Sequence, residues 1–171
     1  RNVGISTLVT EGEYSDTNLA TALGGLTYGV SVWDMAKAYS VFANGGKLVE
    51  PTVIMKVVDR NGKVLEDHSG ARESTQAVDE ASAWTLTSVL EEVISRGTGG
   101  NAYIGRPSAG KTGTTDDEHD AWFVGYTPDL STAVWVCDDT SANAGYTGGT
   151  IPAAIWRQYM YETESGYAVK N

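Results

Sequence analysis

Apolar residues recur most regularly between Val32 and Phe42, where Val32, Met35, Ala36, Tyr39 and Phe42 keep helical spacing. Ser31 stands just ahead of them with Asp34 three residues on, an N-terminal capping pattern, and Asn44-Gly45-Gly46 stops the run. A second helix is predicted over 79–95, with Leu86, Val89, Leu90, Val93 and Ile94 as its apolar face and Gly97 just past its end. A third is expected to be capped by Thr150 and to accept Pro152 in its first turn. Its buried side is read as Ile151, Ile155, Trp156, Tyr159 and Met160. Elsewhere the pattern shortens to β runs. Residues 52–58 and 63–66 flank Asp59-Arg60-Asn61-Gly62, a hairpin signal. Residues 108–114, 121–126 and 132–137 read as three strands, the last two joined through Thr127-Pro128-Asp129. Short connections make antiparallel neighbours, so the fold class is α+β, an antiparallel sheet flanked by helices.

The 171 residues fit one domain, and no internal repeat divides them. Twelve basic against 22 acidic residues leave a net charge of −10, which repels phosphate backbones and anionic lipid heads; nucleic acid is not expected as a partner. The longest apolar run, residues 133–137, is far shorter than the roughly 18 residues of a membrane span, so the chain is expected to be soluble. It begins with Arg1, which suggests a piece of a longer polypeptide whose anchor lies upstream. The single cysteine, Cys137, excludes an internal disulfide and reads as a buried strand residue. Trp33, Trp84, Trp122, Trp135 and Trp156 all fall on predicted elements and are expected in the core.

Gly105-Arg106-Pro107-Ser108-Ala109-Gly110-Lys111-Thr112 fits the pattern of a phosphate-binding loop, and Asp138 ends an apolar strand as a magnesium-holding aspartate would. The same stretch contains Lys111-Thr112-Gly113, a K-T-G triplet. A phosphate loop must open a helix whose N–H groups face the anion, yet Gly113-Thr114-Thr115-Asp116-Asp117 is poor in helix formers and leads into a strand. On an extended strand, Lys111 supplies positive potential, the threonine hydroxyls can bond a carboxylate, and Gly113 lets another backbone approach. The acidic run 116–120 around His119 reads as a solvated loop, and no metal or cofactor is expected.

The surroundings of the triplet carry further signal. Ala22-Leu23-Gly24-Gly25, Ala43-Asn44-Gly45-Gly46, Arg96-Gly97-Thr98-Gly99, residues 110–115, residues 120–128 and Gly145-Tyr146-Thr147-Gly148-Gly149-Thr150 together resemble, in order, the transpeptidase domain of class A penicillin-binding proteins. The resemblance implies a partial penicillin-binding, serine β-lactamase-like fold. It also implies acyl transfer on the D-Ala-D-Ala stem peptides of peptidoglycan through a serine acyl-enzyme that β-lactams also form. Carried onto this chain, Lys111 and Thr114 would be catalytic, Lys111 in the proton network and the Thr114 N–H in the oxyanion hole. Thr112, Gly113 and Thr114 would bind substrate, the two hydroxyls at its terminal carboxylate. The parent would work on the outer face of the bacterial cytoplasmic membrane.

Two further motifs of that family, S-x-x-K and S-x-N, precede K-T-G. Ser108-Ala109-Gly110-Lys111 fits the first only formally, because its lysine is already the K of K-T-G. Ser141-Ala142-Asn143 fits the second but comes after the triplet. Residues 1–171 are therefore read as the C-terminal part of one transpeptidase domain, inactive alone for want of the nucleophile. The missing N-terminal part of the same domain and a second copy of the chain, a homodimer paired through an exposed strand edge, are the expected protein partners. A hydrolase of the D,D-carboxypeptidase or β-lactamase type and a non-catalytic β-lactam or stem-peptide sensor remain alternatives.

Overall fold

The computed structural model describes residues 2–138 and 145–170. Helix α1 spans Val32–Ala43, and its N-cap Ser31 accepts the Asp34 N–H as expected. Helix α2 spans Glu80–Ser95, capped by Asp79, and α3 spans Ile151–Glu164. Seven strands occur among the described residues. They are β1 (Lys47–Val49), β2 (Lys56–Val58), β3 (Val64–Asp67), β4 (Ser74–Gln76), β5 (Ala109–Thr114), β6 (Asp120–Tyr126) and β7 (Ser131–Cys137).

The expected meander is present: β5, β6 and β7 form one antiparallel sheet with β6 in the centre. The hairpin β2–β3 also forms. Asp59 accepts the N–H groups of Asn61 and Lys63, and Gly62 takes a positive φ of 83°. A further two-stranded sheet, β1 with β4, has no counterpart in the hydrophobic pattern.

Helices cover both faces of the central sheet. Phe123 and Val134 face Trp156, Ala153 and Met160 of α3, with Phe123 and Trp156 edge to face at 5.2 Å. On the other side Tyr126 and Ala109 meet Leu90 of α2 and Tyr39 and Phe42 of α1. Burying such side chains stabilises the fold by roughly 1.5–3 kcal/mol each. None of the helices among the described residues is long and apolar enough to cross a membrane.

Several expected faces are rotated. On α3 the buried stripe is Pro152, Ala153, Trp156, Met160 and Glu164, while Ile151, Ile155 and Tyr159 form an adjacent exposed stripe. Glu164 ends the buried stripe: it accepts from Arg106 at 2.9 Å and from the Thr127 hydroxyl. Ion pairing lets a carboxylate end an apolar stripe. Thr150 stands at the N-cap position of α3 as expected, and its carbonyl accepts the Ala154 N–H, but its side chain makes no capping bond because the hydroxyl turns back to the Thr147 carbonyl at 2.7 Å. On α2, Val89 is 58% exposed because the buried line runs through Ala83, Leu90 and Ile94. Cys137, expected buried, is exposed at the end of β7. Of the five tryptophans only Trp156 is fully buried; Trp33, Trp84 and Trp135 are exposed and Trp122 is intermediate.

Candidate functional site

Lys111, Thr112, Gly113 and Thr114 are consecutive residues of β5, which lies at one edge of the sheet. Their register fixes where each group points. The Thr115 N–H bonds the Asp120 carbonyl at 3.0 Å, so the ladder to β6 passes through alternate residues, including Gly113 opposite Trp122 and Lys111 opposite Val124. Thr112 and Thr114 are the intervening residues. Their backbone N–H and C=O groups therefore turn away from β6, to the edge where no strand pairs among the described residues.

Side chains flank that edge from both faces. Thr112 and Thr114 stand opposite Phe123 and Ala121 on the α3 side, and Lys111 stands on the other. Lys111 is exposed, and its Nζ donates to the outward carbonyl of Thr112 at 2.8 Å. The Thr114 hydroxyl accepts the Gly148 N–H at 3.1 Å, leaving its own proton to donate. The Thr112 hydroxyl lies 2.7 Å from that of Thr98. Gly113 leaves no room for a larger residue without movement, since a Cβ there would stand 3.2 Å from the Trp122 Cβ.

Two loops close around the strand. Residues 97–101 bring Thr98, and the segment before α3 brings Gly148 and Gly149; Asn101 Nδ2 ties the two by donating to the Gly149 carbonyl at 2.7 Å. A Cβ on Gly148 would fall inside contact distance of the Trp122 carbonyl and the Gly113 backbone, so only glycine lets this loop lie on β5. Thr98 and Asn101 carry no catalytic motif. Their signals are the glycine-rich sequence of both loops and, for Thr98, its place in Arg96-Gly97-Thr98-Gly99, one of the stretches that carry the family resemblance.

The other motif matches do not assemble. Ser108 precedes β5, buried, with its hydroxyl on the Arg106 carbonyl at 3.3 Å, and an odd spacing along extended chain separates it from the Lys111 face. Ser141-Ala142-Asn143 lies outside the described residues. The phosphate-loop reading fails on backbone shape. The triplet is strand, and the chain leaves it into a three-residue 3-10 turn, Asp116–Glu118, rather than an α-helix with free N–H groups. Asp120 is structural: its Oδ1 accepts Trp135 Nε1 at 2.8 Å beside the stacked Trp122–Trp135 pair.

This edge strand, with its lysine and two threonine hydroxyls on a sheet between helices, is the stretch on which the sequence resembles a penicillin-binding transpeptidase domain. The penicillin binding protein transpeptidase domain matches residues 4–161, and the chain belongs to that family. Penicillin-binding protein 1A of Neisseria gonorrhoeae is 42% identical over 151 residues, 84% of this chain and 18% of that protein. Penicillin-binding protein 1F of Bacillus subtilis is 33% identical over 161 residues, 89% of this chain and 22% of its own. The chain thus spans about a fifth of these relatives. Among solved structures, the PonA1 protein of Mycobacterium tuberculosis in complex with penicillin V superposes with a TM-score of 0.88 at 32% identity, covering 99% of this chain and 49% of that one.

Proposed function

We propose that this chain supplies the carboxylate-binding strand of a serine-type peptidoglycan D,D-transpeptidase, as the C-terminal part of that enzyme's transpeptidase domain. The observation that carries the proposal is the outward edge of β5. There the backbone groups of Thr112 and Thr114, both their hydroxyls and the Lys111 ammonium surround one stretch of strand. A stem peptide ending in D-Ala-D-Ala lies along this edge, its terminal carboxylate on the Thr112 and Thr114 hydroxyls, and Gly113 leaves room for its backbone. The Thr114 N–H stabilises the oxyanion formed when the penultimate carbonyl is attacked, an interaction worth about 3 kcal/mol. Lys111 holds the positive field and takes part in proton transfer. β-Lactams, which carry a carboxylate beside a reactive carbonyl, occupy the same place.

The attacking serine and its lysine come from the remainder of the domain, together with the second motif serine. That remainder would also cover the outer edge of β7, unpaired among the described residues, and the exposed stripe of Ile151, Ile155 and Tyr159 on α3. Likeness to penicillin-binding proteins 1A and 1F across most of the chain favours cross-linking over hydrolysis. The parent acts on the outer face of the cytoplasmic membrane, where its substrate lies. Intact-mass spectrometry after incubation with a penicillin tests the division of labour. The 171-residue chain alone gains no mass, whereas the complete domain gains one penicillin; an adduct on the isolated chain refutes the assignment.

A further inference from the structure

Thr98 is solvent-exposed in the loop between α2 and β5, and its hydroxyl oxygen lies 2.7 Å from that of Thr112. Two hydroxyls at that distance share one proton: one donates, the other accepts, and the acceptor keeps a proton free to give elsewhere. Among the described residues neither side chain has another hydrogen-bond partner. The loop holds Thr98 in place by close backbone packing. A Cβ on Gly97 would meet the Val93 backbone at 2.8 Å, and one on Gly99 would meet the Phe123 ring at 3.0 Å. Asn101 anchors the same loop to Gly149, next to the residue whose N–H bonds Thr114.

We propose that Thr98 is a positioning residue that sets the direction in which Thr112 donates its proton; this rests on the carboxylate-binding role of β5 proposed above. The two hydroxyls of that site are arranged by different devices. At Thr114 the partner is an amide, which can only donate, so the threonine proton is left to point outward. At Thr112 the partner is another hydroxyl, able to do either. An anion at the edge of β5 draws the Thr112 proton outward, whereupon Thr98 donates to the Thr112 oxygen. The three groups then form a chain from Thr98 through Thr112 to the carboxylate, each bond polarising the next. Without the Thr98 hydroxyl, Thr112 keeps its proton but loses the donor behind it.

The test uses the complete transpeptidase domain that contains this chain, with Thr98→Val, which keeps the shape, Thr98→Ala as a second deletion and Thr98→Ser, which restores the hydroxyl. Acylation is measured with a penicillin and with its methyl ester, which lacks the anionic oxygen. Thr98→Val and Thr98→Ala are expected to slow acylation by the penicillin about tenfold through weaker binding, the usual scale for one hydrogen bond in a charged network. Thr98→Ser recovers most of the rate, the ester distinguishes the variants by less than about twofold, and in a Thr112→Val background the Thr98 substitutions add nothing further. Wild-type rates in both deletions overturn the proposal, as does an equal loss with penicillin and ester or full additivity with Thr112→Val. If Thr112→Val alone leaves acylation unchanged, the carboxylate-binding role of β5 fails first, and that result is separable from the behaviour of Thr98.

Discussion

Gly148 donates its backbone N–H to the hydroxyl of Thr114 at 3.1 Å, joining the segment ahead of α3 to the far end of β5. The approach is close enough that a methyl group on Gly148 would run into the Trp122 carbonyl and the Gly113 backbone. Backbone cannot swing aside as a side chain can. Gly148→Ala is therefore expected to lift this loop off the strand at an overpacking cost of about 1–3 kcal/mol. In the complete domain penicillin acylation should fall by about tenfold or more while the variant remains folded; rates and thermal melts measured on one preparation check both halves.

The buried carboxylate of Glu164 has its two partners, Arg106 and Thr127, on different segments. Removing one member of such a pair leaves a desolvated charge behind, typically at about 3–5 kcal/mol. Glu164→Ala should lower stability by that order and Glu164→Gln by less, because the amide oxygen still accepts from Thr127. Urea denaturation of the chain, with midpoints compared at equal slope, measures the difference.

Asp16 organises the opening segment. Its carboxylate accepts the N–H groups of Val9 and Thr27, both at 2.8 Å, and the Thr27 hydroxyl. The backbone bond from Val9, then that from Thr27, hold its pKa below the usual aspartate value. A depressed native pKa means stabilisation present above the unfolded-state value and lost as pH falls through the native one. Protection factors of the amides across residues 9–27, with exchange normalised to the intrinsic rate at each pH, should therefore fall on acidification below about pH 4, the ordinary aspartate range. Asp16→Asn should abolish that pH dependence and lower protection throughout.

How much of this architecture could be read in advance differs from element to element. The span of helix α2 was legible almost to the residue because its signals are local, a sustained apolar period with Gly97 just past its end, although Leu86 and Val89 of that period are exposed. The sheet β5–β7 and its order came from short loops between β-branched and aromatic runs. Helix α3 was legible as an element but not in its orientation. Glu164 looks like a surface residue until Arg106, far away in sequence, is brought to it. The β1–β4 pair gave no signal, because three-residue strands show no alternation and their partners are distant. At the site, Lys111, Thr112, Gly113 and Thr114 stood out as a contiguous motif. Thr98 was visible only as part of Arg96-Gly97-Thr98-Gly99 and Asn101 not at all, since their contacts with the site are made by folding alone.

The outer edge of β7, which pairs with no further strand among the described residues, yields a prediction about assembly. The Thr127 N–H on the Leu130 carbonyl at 2.9 Å sets the ladder to β6, so Ser131, Ala133, Trp135 and Cys137 turn their backbone groups outward. Unpaired edges of this kind recruit further strands. The isolated chain should self-associate as its concentration rises, and Ala133→Pro should suppress this by removing one outward N–H without touching the β6 ladder. Sedimentation velocity over a concentration series reads the outcome; equal association of both proteins would mean the edge is not used.

A crystal structure of the complete domain acylated by a penicillin decides whether β5 holds the substrate carboxylate. The penicillin carboxylate is expected within about 3 Å of both the Thr112 and Thr114 hydroxyls, the usual hydrogen-bond range, with the acyl oxygen at the Thr114 N–H. A carboxylate turned away from β5, with both hydroxyls still bonded only to Thr98 and Gly148, would contradict the role proposed for this strand.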